Sequence, residues 1–318
     1  MASEVNTLGD LISLLAVYIM LFFLGLSILR NGLYQLSYQK MEYFLATFTK
    51  NTFFGILTGL AATAILQSSS VIMVLTISFV SIGFISFKQS IGIMLGANIG
   101  TTITAELMAF SNYIPEITFV IVGVILIFFK SRILFSIGSI LFGLGSIFVA
   151  LNGFESLAQN IASIPILTES LDYASNHPTI GVWIGTIVSG VIQSSSATVG
   201  LTMSFLHENL IALPTSIAIV LGANIGTCVT SLLASFGTKK EAKLVAMSHI
   251  WFNVLGVIMF IPFLGWLTDL AQVLSQDVKE QLAHISVLFN VISVLCLLPF
   301  ISYFAKFITK LHGKKAFN

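Results

Sequence analysis

The chain reads as an all-α polytopic membrane protein made of two inverted-topology repeats, each carrying a re-entrant helical hairpin, plus one extra C-terminal helix. Three observations predict this: an apolar composition, an internal duplication, and an odd number of crossings per copy. Of the 318 residues, 56% are hydrophobic and only 8% are charged, with a mean hydropathy of +1.00; soluble domains carry about 25% charged residues. Met1–Asp10 is polar and acidic, without the basic start of a signal peptide, so the apolar run from Leu11 is expected to be retained as a helix. Cys228 and Cys296 both sit in apolar runs, which argues against a disulfide framework or a thiolate metal site.

The duplication is explicit. Sliding the chain on itself by 126 residues aligns Gly55–Phe110 with Gly181–Phe236 without a gap, and 24 of the 56 pairs are identical. Two blocks stand out. The tetrapeptide Gln67-Ser68-Ser69-Ser70 recurs as Gln193-Ser194-Ser195-Ser196, and Gly96–Thr101 (GANIGT) recurs as Gly222–Thr227. Upstream, the stretches around Gly25 and Gly143 are loosely similar, so each copy is expected to open with an equivalent helix.

Length separates full crossings from half crossings. A span needs about 20 residues. The runs near 11–32, 90–110, 117–129, 133–152, 213–236, 243–264 and 283–304 give about seven crossings. The arms on either side of each tetrapeptide have only about 15 residues, so they read as re-entrant hairpins with serines at the tip. Broken backbone at membrane depth is tolerated only inside protein or against a watery cavity. The expected units are repeat 1 over 1–130 (hairpin about 51–85), repeat 2 over 131–265 (hairpin about 177–211), and 266–318 as a loop, the extra helix and a basic cytoplasmic tail.

Charge placement sets the orientation. With the amino terminus outside and the carboxyl terminus inside, thirteen of the fourteen Lys and Arg residues, Arg30 among them, fall on the cytoplasmic side, leaving Lys279 outside. Each repeat then holds an odd number of crossings, so the copies insert in opposite senses. Such inverted repeats with discontinuous helices at the midplane are a common transporter architecture.

Paired polar tips in apolar surroundings point to a ligand. Desolvating an unpartnered amide or hydroxyl costs roughly 2–7 kcal/mol on transfer scales. Six hydroxyls and two carboxamides can surround a tetrahedral oxyanion, and a hairpin break exposes helix N-termini that favour anions. With no Lys or Arg placed near either tip, cations bound alongside are expected to supply the missing positive charge. Gly96, Gly100, Gly222 and Gly226 are expected to permit unwinding that frees carbonyls beside Asn98, Thr101, Asn224 and Thr227, or else to serve helix packing. Glu106, matched by Leu232 in the second copy, is the one carboxylate inside a predicted crossing. It is left out of the core site, as are His249 and His284.

The paired QSSS hairpins, each followed by a G-A-N-I-G-T helix, resemble the type II sodium-phosphate cotransporter family. The likeness runs from about Leu11 to Phe304 and takes in His249–Asn253 (HIWFN) and His284–Asn290 (HISVLFN). The short bacterial members are most similar, since the chain has no room for the soluble phosphate-regulator-like domain of longer members. The resemblance implies a transporter rather than an enzyme, working by sodium-coupled symport of inorganic phosphate into the cell across the cell (inner) membrane. It implies no cofactor beyond co-transported sodium, no nucleic-acid partner, and allows a homodimer. Phosphate would lie among Gln67, Ser68, Ser69, Ser70, Gln193, Ser194, Ser195 and Ser196. Sodium would use Gln193, Ser194, Asn224, Thr227 and Thr230, with Gln67, Ser68, Asn98, Thr101 and Thr104 as a pseudo-symmetric second set. The alternatives are a sodium-coupled carrier of another small anion, sulfate or a dicarboxylate, and a non-transport structural or channel subunit. A dicarboxylate carrier is expected to show an intramembrane arginine.

Overall fold

The computed structural model describes residues 8–47 (side chains through Leu36), 51–162 and 176–313, with isolated positions between 164 and 174. Every regular element among them is helical. The basic tail from 314 onward, and Lys40 and Lys50 of the charge assignment, lie outside the described residues or side chains.

Helix α1 (Leu8–Thr47) is followed by the first hairpin, α2 (Thr52–Leu66) and α3 (Ser69–Ser81), and by α4 (Phe87–Ala109) and α5 (Glu116–Ile127). The second copy runs α6 (Arg132–Ile161), hairpin α7 (Pro178–Ile192) and α8 (Ser195–His207), then α9 (Leu213–Gly226), α10 (Cys228–Ser235) and α11 (Lys240–Phe260). Helices α12 (Leu264–Leu274), α13 (Val278–Leu297) and α14 (Ile301–His312) close the chain. The loop expected at the start of 266–318 is therefore partly helical, in α12. The hairpin arms match residue for residue: α2 and α7 have 15 residues, α3 and α8 have 13. At 1.5 Å per residue, 15 residues reach about 22 Å, short of a bilayer core of about 30 Å.

Six helical stretches are long and apolar enough to cross a membrane, one fewer than the seven expected. The missing one is α5, with only 12 residues, about 18 Å. It begins only after Ile114-Pro115, which separates it from the preceding 3₁₀ turn: the proline nitrogen cannot donate, and the residue before it is held extended. The chain nevertheless descends alongside α6. Ser111 and Asn112 sit at the level of Glu155 through their shared contact with Lys279, whereas Ile127 lies against Gly138, near the start of α6.

Glycines set the close helix crossings. A Cβ on Gly25 would lie 2.8 Å from Gly143 O, and one on Gly32 2.7 Å from Ser136 O, so the paired opening helices α1 and α6 run antiparallel in near backbone contact. Within each copy the first hairpin arm lies parallel to the GANIGT helix. A Cβ on Gly59 would meet Ile93 O at 2.1 Å, and on its match Gly185 would meet Ile219 O at 1.9 Å. The reciprocal glycines, Gly96 and Gly222, would put a Cβ 1.9 Å from Ile56 O and 2.0 Å from Val182 O.

That contact corrects the expected unwinding. Helix α4 runs unbroken through Gly96–Thr104, and the glycines serve close packing. Only the second copy interrupts its helix, at Thr227 between α9 and α10. Cys228 and Cys296 are free thiols.

Candidate functional site

Both hairpins break in the same way. Gln67 and Gln193 adopt left-handed backbone torsions (φ 48°, ψ 34° and φ 58°, ψ 30°), a conformation that costs a non-glycine residue about 1–3 kcal/mol and clusters at functional sites. The following serines, Ser68 and Ser194, are the N-caps of α3 and α8; their hydroxyls accept from Val71 N at 3.3 Å and Ala197 N at 3.2 Å. Ser69 and Ser195 are buried at the first helical position. The motif is thus a left-handed stop followed by a capped start, which turns a helix N-terminus toward the protein centre.

The surroundings of the two tips differ. At tip 1 the Gln67 side chain is buried: its Oε1 accepts from Thr104 Oγ1 at 2.7 Å, and its Nε2 donates to Ala64 O at 2.5 Å. Arg30 of α1 then donates from Nε (3.1 Å) and Nη2 (2.9 Å) to the Gln67 main-chain oxygen. This corrects the expectation that no basic side chain lies near a tip. Arg30 lies within the candidate span Gly9–Leu36. Among the described residues no carboxylate lies within 4 Å of it. The corresponding stretch of α6 has Leu151 before Asn152-Gly153, where α1 has Arg30 before Asn31-Gly32. The absence of an intramembrane arginine therefore no longer argues against a dicarboxylate.

At tip 2, Gln193 is exposed. Ser195 and Ser196 instead line a small polar cavity of about 10 Å³, opposite Thr101 and Thr102 of α4. Asn224 of α9 and Ser286 and Asn290 of α13 complete its polar wall. Contact also crosses the other way, because Thr230 Oγ1 donates to Ser70 Oγ of tip 1 at 3.2 Å. Each tip therefore meets polar residues that follow GANIGT, or belong to it, in the opposite repeat.

The sodium-type sets are only partly assembled. In the first, Gln67 and Thr104 are bonded, and Thr101 lies one turn from Thr104 with its hydroxyl on Ala97 O. In the second, Thr230 bonds Thr227 O and Ser70; among the described residues no hydrogen bond joins Thr227 or Thr230 to Gln193 or Ser194. Asn98 and Asn224 turn their amide groups onto Met94 O and Val220 O of their own helices. Asn224 reaches the cavity lining and Asn98 does not.

The residues set aside also find partners. Glu106 pairs with His284 Nδ1 at 2.9 Å. Glu155, another carboxylate within a candidate span, is held at 2.5 Å by the buried Lys279. His249 bonds Ser231 Oγ at 2.8 Å in a buried cluster with Cys228 and Asn253. Sequence reasoning missed Arg30, Thr102, Ser286 and Asn290 as site neighbours. For Arg30 a signal existed, a lone arginine late in an apolar run, but the charge count read it only as one of the cytoplasmic-side cations.

A family model described as Na+/Pi-cotransporter matches residues 21–156 and 158–297. The chain belongs to that family. It is therefore a transporter and not an enzyme, from a family that uses no cofactor beyond co-transported sodium. The uncharacterized protein YqeW of Bacillus subtilis (strain 168) is 38% identical, over 85% of this chain and 88% of its own length. The putative inorganic phosphate export protein YjbB of Escherichia coli (strain K12) is 25% identical over 83% of this chain, which spans 49% of that relative's length. The human sodium-dependent phosphate transport protein 2B is 31% identical over 27% of this chain and 14% of its own. No solved structure matches.

Proposed function

We propose that the Na+/Pi family member described here is a sodium-coupled symporter that carries inorganic phosphate into the cell by alternating access, with the anion held between the two QSSS tips. The observation that carries this reading is the crossed arrangement of the tips. Ser70 meets Thr230 of the second repeat, while Ser195 and Ser196 face Thr101 and Thr102 of the first, so the ligand groups lie at the interface that two inverted repeats must move. Arg30 supports an anionic substrate. A guanidinium inside an apolar span with no carboxylate beside it is electrostatically costly, and an oxyanion at the adjoining serines would neutralise it. Two of its five donors are committed to Gln67 O, which leaves others for such a ligand.

In this reading the seven-pass topology has the amino terminus outside and the protein sits in the cell membrane, with a homodimer allowed. Family membership favours phosphate over sulfate or a dicarboxylate. A second reading, export, is favoured by the name of the YjbB relatives. The test is uptake of radiolabelled phosphate into proteoliposomes with inward, outward and no sodium gradient, with unlabelled sulfate and succinate as competitors. Accumulation driven by inward sodium is expected. Sodium-independent flux, or none with folded protein, sinks the symport reading. Net phosphate loss from intact cells expressing the protein would favour export.

A further inference from the structure

We propose that the basic pocket where α14 meets the starts of α4 and α11 binds an anionic phospholipid, with the headgroup phosphate among four lysines and an acyl chain in the apolar groove beside them. Such a site is independent of the direction and coupling of transport.

The charges come together only through the fold. Lys88 at the start of α4, Lys240 at the start of α11, and Lys306 and Lys310 of α14 line one pocket of about 600 Å³. No carboxylate lines it, and among the described residues none of the four lysines has an ion-pair partner. Like charges gathered in this way repel one another, and an anion between them relieves the repulsion. Ser302 adds a hydroxyl to the wall, which can donate to a phosphate oxygen.

The neighbouring groove selects a lipid over a free anion. It shares Lys240 and Lys310 with the pocket, has a volume of about 1150 Å³, and is walled by Phe236, Leu244, Met247, Trp251, Phe307 and Leu311. Lys240 and Trp251 both belong to α11, eleven residues apart, so the groove runs about 16 Å along that helix at 1.5 Å per residue. A charged end beside an apolar trough of that length fits a phospholipid; a free phosphate would leave the trough unused. Trp251 also fastens α14 to α11, since its Nε1 donates to His312 Nε2 at 2.8 Å and its ring meets Phe307 edge-on.

Helix α14 has the pattern of a helix lying in the membrane surface. Ile301, Phe304 and Ile308 are buried, Tyr303, Phe307 and Leu311 form an exposed apolar stripe, and Lys306 and Lys310 stand on the flank beyond it. All four pocket lysines belong to the side assigned to the cytoplasm, where basic pockets between membrane helices hold anionic headgroups. A headgroup held there would bridge Lys88 of the first repeat and Lys240 of the second, and so tie the GANIGT helix α4 to α11.

The experiment reads the groove from inside. The full chain carries Trp183→Phe and Trp266→Phe, which replace two exposed indoles, so that Trp251 is its sole tryptophan. It is reconstituted in phosphatidylcholine bilayers with rising fractions of brominated-chain phosphatidylglycerol or, in a parallel series, brominated-chain phosphatidylcholine, and quenching of Trp251 fluorescence gives the relative affinity. A preference for the anionic lipid of about tenfold or more is expected. Lys240→Gln and Lys310→Gln should each cut that preference about fivefold, the effect of one lysine at an anionic surface, and Lys310→Arg should keep it. Lys130→Gln removes one charge from the same side outside the pocket and should leave the preference unchanged. Equal quenching by the two lipids overturns the proposal. An equal loss in Lys130→Gln also overturns it, because diffuse surface charge would then account for the preference. Relief of anionic-lipid quenching by excess inorganic phosphate does so as well, and reassigns the pocket to the free anion. The substituted lysines are exposed; if one glutamine variant does not fold, the other decides.

Discussion

The two hairpins are copies in backbone and opposites in surroundings. Arm lengths, left-handed glutamines and serine caps agree residue for residue. Hairpin 1, however, buries Ile72, Met73 and Ile77 in a core shared with α4, α11 and α14, and its tip holds Arg30. Hairpin 2 buries Val199 and Met203 among α1, α6, α9 and α13, and its tip faces a neutral cavity with Gln193 left exposed. Duplication supplies the geometry of a tip, and elements that occur once, Arg30 and α13, give each tip its own chemistry. One tip carries a fixed positive charge and the other, at its cavity, does not.

The largest expected effect breaks that division. Arg30→Gln removes the fixed positive charge and is expected to lower phosphate uptake at subsaturating substrate by about 30-fold or more, since truncating a buried charged partner costs roughly 2–5 kcal/mol. Arg30→Lys should recover part of it, and the sodium concentration that half-saturates proteoliposome uptake should hardly move. Equal losses for phosphate and sodium would mean that Arg30 only holds the hairpin shape.

The next effect tests what the hairpins share. Gly59→Ala and Gly185→Ala each force a methyl to within about 2 Å of a carbonyl oxygen, and overpacking of this kind costs about 1–3 kcal/mol or more. Both should lower the unfolding temperature comparably. Gly190, matched by Ala64 in the first copy, has its nearest neighbour at 3.5 Å; Gly190→Ala should be neutral or gain up to about 1 kcal/mol from helix propensity.

A smaller effect sharpens the contrast between the glutamines. Both pay for a left-handed conformation that glycine adopts freely. Gln193→Gly should therefore stay within about 1 kcal/mol of wild type, whereas Gln67→Gly also strands Thr104 and should lose about 1–3 kcal/mol. Equal outcomes in thermal unfolding would remove the distinction between a buried and an exposed tip. The smallest effect concerns the bond between repeats. Ser70→Ala and Thr230→Ala, alone and together, should show a coupling of about 0.5–1.5 kcal/mol in a double-mutant cycle.

Much of the fold was legible because membrane helices announce themselves by length and apolarity and because the duplication is written in identical residues. The hairpin arms came out where two runs of about 15 residues flank QSSS. The shortened α5 shows where composition fell short: Ile117–Phe129 with its flanks is apolar, but Pro115 sets where its helix begins, and a 3₁₀ turn over Phe110–Tyr113 stands before it. The glycines of GANIGT were visible, yet their role depended on whether a neighbouring backbone lay against them, which spacing along one helix does not say.

The sequence by itself determined that this is a helical membrane protein with two matched polar tips, since burial cost and repeat identity are properties of the chain. Only the tertiary structure decided what each tip touches. Arg30 is 37 residues from Gln67, and Asn290 is 94 from Ser196. A guanidinium or a carboxamide carries no mark of its destination along the chain; the packing of α1 against hairpin 1 and of α13 against tip 2 gives each of them its partner.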